Sequence, residues 1–239
     1  MDNKGKLYLI PTPLGDYSPA EVLPAPVLER VNSLRTFVVE ELRSGRRFLS
    51  AAGHKGHIHD LDLHELNEHT TPAEVEALGA LFEGSNNVGL LSEAGLPAVA
   101  DPGAKLVALC HRNGIEVVPL TGPSSLMMAL MASGLNGQCF AFTGYLPVKP
   151  EERKSALRSI EKRSASLCQS QIIIETPYRN DSLLADMLGT LDEGTRLCIA
   201  ADITLPDAFI RTATIREWKK KVPVIGKRPC VFVILAGRV

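Results

Sequence analysis

Short β-rich apolar runs alternate with helical segments along the whole chain, and this alternation confines the fold to α/β layers on a largely parallel sheet. Leu7 to Ile10 reads as an opening strand. It runs into Pro11-Thr12-Pro13-Leu14-Gly15-Asp16, where two prolines keep the chain out of helix. Further strands are predicted over Thr36 to Glu40, Asp62 to Leu66, Asn87 to Leu91 and Glu116 to Leu120. Thr71-Pro72-Ala73-Glu74 offers a cap, a proline at the first helical position and a capping-box glutamate, which predicts a helix running to about Glu83. Asp101-Pro102 repeats this start for a helix ended by Gly114, and an apolar helix from Ser124 to Ser133 stops at Gly134.

The second half continues the alternation. Strands are predicted at Phe140 to Thr143, Gln171 to Glu175, Arg196 to Ala201, Ala208 to Thr212 and Val231 to Leu235, and helices at Pro150 to Ser164, Asn180 to Leu191 and Ile215 to Lys221. The last three strands lie close together in sequence, which predicts antiparallel pairing among them. Pro119, Gly122 and Pro123 break the pattern between two βα-rich halves, so the expected organisation is two α/β domains, 1–120 and 121–239.

A net charge of −1 gives no global attraction to nucleic acid or anionic membrane, so any RNA contact must come from a local patch. No apolar run is long enough to span a bilayer and no signal peptide is recognisable, which predicts a cytoplasmic protein. Cys110, Cys139, Cys168, Cys198 and Cys230 are odd in number and form no CxxC pair, a pattern of reduced thiols rather than a disulfide frame or zinc site. His54, His57, His59, His64 and His69 crowd one stretch with Asp60 and Asp62, but their spacing matches no metal motif. A polar surface loop is expected there, and no metal.

The position after the first strand reads PTPLGD, not GxGxxG, and no GxxxxGK[ST] occurs elsewhere, so a phosphate cradle is not expected. The chain offers instead small-residue loops at strand ends: Ser92-Glu93-Ala94-Gly95-Leu96-Pro97, Leu120-Thr121-Gly122-Pro123-Ser124-Ser125 and Thr143-Gly144-Tyr145-Leu146-Pro147. Each alone reads as a tight turn. Together they suggest one sizeable ligand held mainly by main chain.

The succession LYLIPTPLGD, VVEELR, LLSEAGLPAVADPG, VVPLTGPSSLMMALMASGL, FTGYLP and IIIETPYR resembles the tetrapyrrole methylase superfamily, closest to its branch that methylates a ribose 2'-hydroxyl of small-subunit ribosomal RNA. The resemblance implies two α/β domains enclosing S-adenosylmethionine in a cleft between them, and a homodimer. It places Leu14, Gly15, Ser92, Glu93, Ala94, Ala98, Ser124, Ser125, Glu175 and Ile203 at the cofactor. Glu93 stands where the family usually has Asp, one methylene longer. In the segment matching EDTR, Glu41 and Arg43 become the candidates to act on the acceptor hydroxyl; alternatively Glu40, Glu41 and Arg43 form a solvated charge cluster. His64-Glu65-Leu66-Asn67-Glu68 resembles the family's HEHNE segment and is expected near the active cleft. The sequence ends at the strand expected to close the second domain, without the short extra domain common in that branch.

Transfer of an already activated sulfonium methyl requires mainly alignment and exclusion of water, so no metal is required by the chemistry. The leading expectation is methyl transfer to 16S ribosomal RNA. Two others stay open: a tetrapyrrole or other non-RNA acceptor at the same site, and a cofactor-binding regulatory protein without catalysis. For RNA contacts, Lys149, Arg153, Lys154, Arg158, Lys162 and Arg163 recur at helical spacing among acidic neighbours, as either a phosphate-binding or a merely solvated face. Lys219-Lys220-Lys221 and Lys227-Arg228 form a second basic patch with no aromatic residue interleaved.

Overall fold

The first strand shows how the N-terminal sheet is buried on both faces. In the computed structural model, which describes residues 4–237, Leu7 and Leu9 pack with one apolar cluster while Tyr8 and Ile10 pack with another. The chain divides into two compact units, residues 1–124 and 125–239.

In the first unit the elements follow in order as β1 (Leu7–Ile10), α1 (Ala25–Ser33), β2 (Thr36–Val39), α2 (Leu42–Leu49), β3 (Asp62–Glu65), α3 (Pro72–Ala77), β4 (Val88–Leu91), α4 (Ala104–Arg112) and β5 (Val117–Pro119). The sheet runs β3-β2-β4-β1-β5 and every pairing is parallel. Val75, Leu106 and Leu109 of α3 and α4 join Leu7, Val38 and Leu90 on one face. Val31 and Leu49 of α1 and α2 join Ile10, Phe37 and Val39 on the other. Burial on both faces explains why β2 and β4 read as unbroken apolar runs. With all strands parallel, their carboxyl ends share one edge, and the connecting loops gather there.

Two helix expectations need correction in detail. The Thr71–Glu74 capping box forms, but the α-helix ends at Ala77 and tightens into a 3-10 segment, Leu78–Ser85, broken at Glu83 and Gly84. Gly79 and Gly84 weaken the continuation. After Asp101-Pro102 the helix begins only at Ala104, because Asp101 Oδ1 accepts the amides of Ala98 (3.1 Å) and Gly103 (2.6 Å) and caps a turn instead.

The second unit comprises α5 (Ser125–Ser133), β6 (Phe140–Tyr145), α6 (Pro150–Leu167), β7 (Ser170–Ile174), α7 (Asn180–Thr190), β8 (Arg196–Ala201), β9 (Phe209–Thr214), α8 (Ile215–Lys220) and β10 (Cys230–Leu235). Its sheet is mixed, β6-β7-β10-β8-β9; β6 and β7 are parallel, and β7–β10, β10–β8 and β8–β9 are antiparallel. The antiparallel pairing expected of the last three strands is present. Leu157, Leu184, Met187 and Trp218 of α6, α7 and α8 cover one face with Ile173, Leu197, Ile199 and Phe232, and the Trp218 indole N–H donates to Leu197 O at 2.9 Å. On the other face α5 is tied to β9 by the Thr212 hydroxyl, which donates to Ser133 O at 2.7 Å. Since β7 and β8 both run antiparallel to β10, their carboxyl ends lie on the same edge of the sheet.

Candidate active site

The loops after β1, β4 and β5 are brought together by their main chains. Thr12 and Gly95 exchange backbone hydrogen bonds (2.9 and 3.1 Å), so PLGD and SEAG form a small antiparallel bridge. The Thr12 hydroxyl adds a bond to Ser92 O, and Ser92 Oγ one to Gly95 O. Gly95 sits at φ +78°, a left-handed conformation that glycine adopts without a Cβ penalty. The third loop closes in at Gly122, where a Cβ would stand 2.2 Å from Pro11 Cβ. Only a glycine admits so close an approach.

Beside the bridge lies a cavity of about 320 Å³ lined by Leu14, Gly15, Ser92, Glu93 and Ala94, with Ser44, Arg47 and Phe48 of α2 on its far wall. Five of the residues expected at a cofactor therefore share one cavity. Ala98 lies further along the same loop, at φ +66°, with its amide on Asp101. Ser124 ends the first unit and Ser125 opens α5 in the second. Glu175 and Ile203 belong to the second unit, at the carboxyl ends of β7 and β8.

The acidic groups at the end of β2 separate in character. Glu41 caps α2: its carboxylate accepts the amides of Arg43 (2.8 Å) and Ser44 (2.6 Å), and these bonds hold its pKa below the ordinary value. That engagement makes it a weak proton acceptor, and the exposed Arg43 contributes its backbone to the cap. Glu40 behaves in the opposite way. It is half-buried, and burial, then the charges of Asp101 and Glu93, push its carboxyl upward, against a hydrogen bond from the Glu93 backbone. Glu68, from the HELNE segment, adds to the same field. Burial also raises Asp101, against the two amides it accepts. Glu93 itself is anchored by the Ser44 hydroxyl, which donates to Oε1 at 2.5 Å. Sequence matching selected Glu41; the signal for Glu40 is its place as the last residue of an apolar run, where a carboxylate is drawn partly into the sheet.

In the second unit the Glu175 side chain is wholly buried. Its Oε1 accepts the Thr176 amide (2.7 Å) and the Arg179 Nε (3.0 Å) and Nη2 (2.5 Å), while Oε2 has no hydrogen-bond partner among the described residues. A buried carboxylate oxygen without a donor is costly and points to a missing one. Ile203 is buried between Asp202 at φ +49° and Thr204 at φ +80°, in a sharply bent loop.

Several other expectations change. Arg153 does not join a phosphate-binding face: only 3% exposed, it bonds Asp186, Val148 O and Ser182. His54 is no loop residue either, being buried with Nε2 3.1 Å from Val31 O and its ring edge-on to Phe37. The other four crowded histidines lie beside Asp60, Asp62 or Glu68. Among the described residues no three or more His, Cys, Asp or Glu side chains are grouped so that they could hold a metal ion. The five cysteines are free, and burial pushes the Cys110 and Cys230 thiols up to about 12. Among the described residues no helix is long and apolar enough to cross a membrane.

Comparison with known proteins agrees with this layout. Residues 6–219 match the family described as tetrapyrrole (corrin/porphyrin) methylases. Ribosomal RNA small subunit methyltransferase I of Escherichia coli O157:H7 is 31% identical over 236 residues, 98% of this chain and 78% of that protein. The protein of the same name from Neisseria meningitidis serogroup B is 32% identical over 224 residues, 94% of this chain and 72% of its own length. Among solved structures, the methyltransferase CobJ superposes with a TM-score of 0.64 at 16% identity, covering 98% of this chain and 97% of that one. Uroporphyrin-III-C-methyltransferase from Thermus thermophilus gives 0.55 at 20% identity over 97% and 92% of the two chains. A family match over residues 6–219, relatives above 30% identity and a shared fold lead to one conclusion: the chain belongs to the tetrapyrrole methylases, a family of methyltransferases.

Proposed function

We propose that the protein transfers a methyl group from S-adenosylmethionine to a ribose 2'-hydroxyl of 16S ribosomal RNA, acting in the cytoplasm as a homodimer of two-domain (1–120 and 121–239) subunits. The observation that carries the cofactor reading is the cavity beside the Thr12–Gly95 bridge, lined by Leu14, Gly15, Ser92, Glu93 and Ala94. Its chemistry fits the ligand: the Glu93 carboxylate suits ribose hydroxyls or an ammonium. Glu175, in the second unit, is proposed as a further contact because its Oε2 lacks a donor among the described residues. Ala98, Ser124, Ser125 and Ile203 complete the proposed contacts. The bound cofactor supplies an activated methyl group. The ribosomal acceptor is supported by relatives named for small-subunit ribosomal RNA that match nearly the whole chain.

In this reading the chain's own residues orient the acceptor and take up its proton. Glu40, with its raised pKa, is the better acceptor of the 2'-hydroxyl proton, while Glu41 and Arg43 fix the start of α2 and with it Ser44, which holds Glu93. A base works deprotonated, so turnover should rise with pH through the raised Glu40 pKa and level off above it. Glu40→Gln should lower turnover by roughly 10²–10⁴-fold with cofactor affinity spared, whereas Glu41→Gln, which loses one of the two capping bonds that place Ser44, should lower turnover far less and act mainly through cofactor affinity. Equal turnover in Glu40→Gln and wild type removes Glu40 from the mechanism. Calorimetry should show S-adenosylmethionine binding, and the 2'-O-methyl map of 16S ribosomal RNA from a deletion strain should lack one site. An unchanged map overturns the acceptor; no heat at millimolar ligand overturns the cofactor.

A further inference from the structure

The basic runs Lys219-Lys220-Lys221 and Lys227-Arg228 have no aromatic residue between them, and the methyl-transfer site uses neither. The fold supplies an aromatic from elsewhere. Tyr178, in the short helical turn after β7, is 79% exposed, and the Lys227 ammonium lies 4.9 Å from its ring centroid. Some fifty residues of sequence separate the two.

Their meeting is fixed by hydrogen bonds, not by chance proximity of flexible side chains. The Asp181 carboxylate accepts the amides of Ile225 (2.8 Å) and Gly226 (3.1 Å), and Asn180 Nδ2 donates to Gly226 O (3.1 Å) and Arg228 O (2.7 Å). The loop carrying Lys227 and Arg228 is thereby clamped to the first turn of α7, which begins two residues after Tyr178. The chain neighbours of Tyr178 and Lys227, Arg179 and Arg228, have their guanidiniums held. Arg179 is held by the buried Glu175, and Arg228 by the buried Asp202 and by Asp207 O. An exposed ring backed by a lysine and bordered by two immobilised arginines has the elements of a single-strand binding surface: a face on which a base stacks and cations for the phosphates beside it. Both arginines are ion-paired, with Glu175 and Asp202, which fixes their orientation and offsets their charge, so the surface offers directed N–H donors and the Lys227 ammonium and not a broad basic field.

We infer that Tyr178, with Lys227, Arg179 and Arg228, forms a platform on which an unpaired base of the RNA substrate stacks while Lys227 and Arg228 meet the adjacent phosphates. The inference deepens the ribosomal-RNA reading and rests on it. Tyr178 then positions substrate, and its loss should act on RNA binding and KM rather than on kcat.

The test measures fluorescence anisotropy of the full chain with a short labelled single-stranded RNA of 16S sequence, alongside methylation kinetics on small ribosomal subunits. Tyr178→Ala should weaken RNA binding roughly 5- to 100-fold and raise KM, with kcat and S-adenosylmethionine affinity unchanged. Tyr178→Phe, which keeps the ring, should stay within about twofold of wild type, and Lys227→Gln should make the log–log salt slope shallower by about 0.7. Wild-type affinity and KM in Tyr178→Ala, in an enzyme that methylates ribosomal RNA, overturn the platform and leave the acceptor reading standing. A Tyr178→Phe loss as large as that of Tyr178→Ala overturns stacking. Selective loss of a ribosomal-protein contact, with binding of the naked RNA intact, overturns it in favour of a protein partner. A wild-type enzyme that neither binds nor methylates RNA overturns both readings.

Discussion

The two units bury polar groups very differently. In the first, the buried polar side chains are Thr12, Thr36 and His54; in the second they are Ser133, Arg153, Ser164, Ser170, Gln171, Glu175, Asn180, Thr195 and Asp202. The parallel sheet of the first unit is enclosed by aliphatic clusters on both faces, and its site is assembled by backbone contacts between loops. The second unit instead draws charged and amide side chains inside, Arg153 onto Asp186 and the Asn180 amide nitrogen onto the loop before β10, while Ser170 Oγ, Glu175 Oε2 and Asn180 Oδ1 are buried without a hydrogen-bond partner among the described residues. Apolar packing tolerates small changes of volume and punishes lost space gradually. A buried charge punishes the loss of its partner at once.

The largest expected effect follows from that contrast. Arg153→Ala leaves Asp186 partly buried without its cation and should destabilise the protein by about 3–5 kcal/mol, read from urea unfolding. The double change Arg153→Met, Asp186→Leu should recover most of this, because an apolar pair of similar volume replaces a buried ion pair at little cost. A loss below about 1 kcal/mol in Arg153→Ala would erase the distinction between the units. Next comes the backbone junction of the first unit. Gly122→Ala drives a methyl into Pro11 and should cost about 1–3 kcal/mol while weakening S-adenosylmethionine binding more than the stability loss explains. Unchanged affinity would detach the Pro11–Gly122 contact from the ligand cavity.

The same contrast decides how much was legible in the sequence. In the first unit the strands are legible nearly to the residue, because burial on both faces leaves apolar runs, and the loops that meet at Thr12, Gly95 and Gly122 are marked by glycine and proline. Charged residues were harder. Arg153 sits in a helix of mixed charge and looks like any surface arginine until Asp186 and Ser182, about thirty residues away, are seen against it. Glu40 and Glu41 are neighbours of identical chemistry, and only the start of α2 makes one a cap and leaves the other half-buried. Tyr178 and Lys227 likewise acquire their relation from the clamp formed by Asn180 and Asp181. Periodicity reports which face is buried; it does not report which distant group a buried charge will find.

The smallest effects come from a device the two units share. Thr71 with Glu74 at the start of α3, and Thr214 with Glu217 at the start of α8, form the same reciprocal capping box. Thr71→Ala and Thr214→Ala should each cost about 1 kcal/mol, since the orphan amide they satisfy is the same in both. The glutamates carry a pH signature. Hydrogen bonds from Thr71 hold Glu74 below its ordinary 4.5, and those from Thr214 do the same for Glu217, aided by the charges of Lys220 and Arg211. A carboxyl whose pKa is depressed by folding adds stability that is complete above the unfolded value and is lost as pH falls through the folded one. Glu74→Gln and Glu217→Gln should therefore differ from wild type at neutral pH and converge with it in acid. Because Glu217 draws on two cations as well as on its box, raising salt to about 0.5 M should shrink its difference and leave that of Glu74 nearly unchanged. Equal salt dependence at both sites would mean that Lys220 and Arg211 are already screened by water, and that the boxes differ only in which unit they begin.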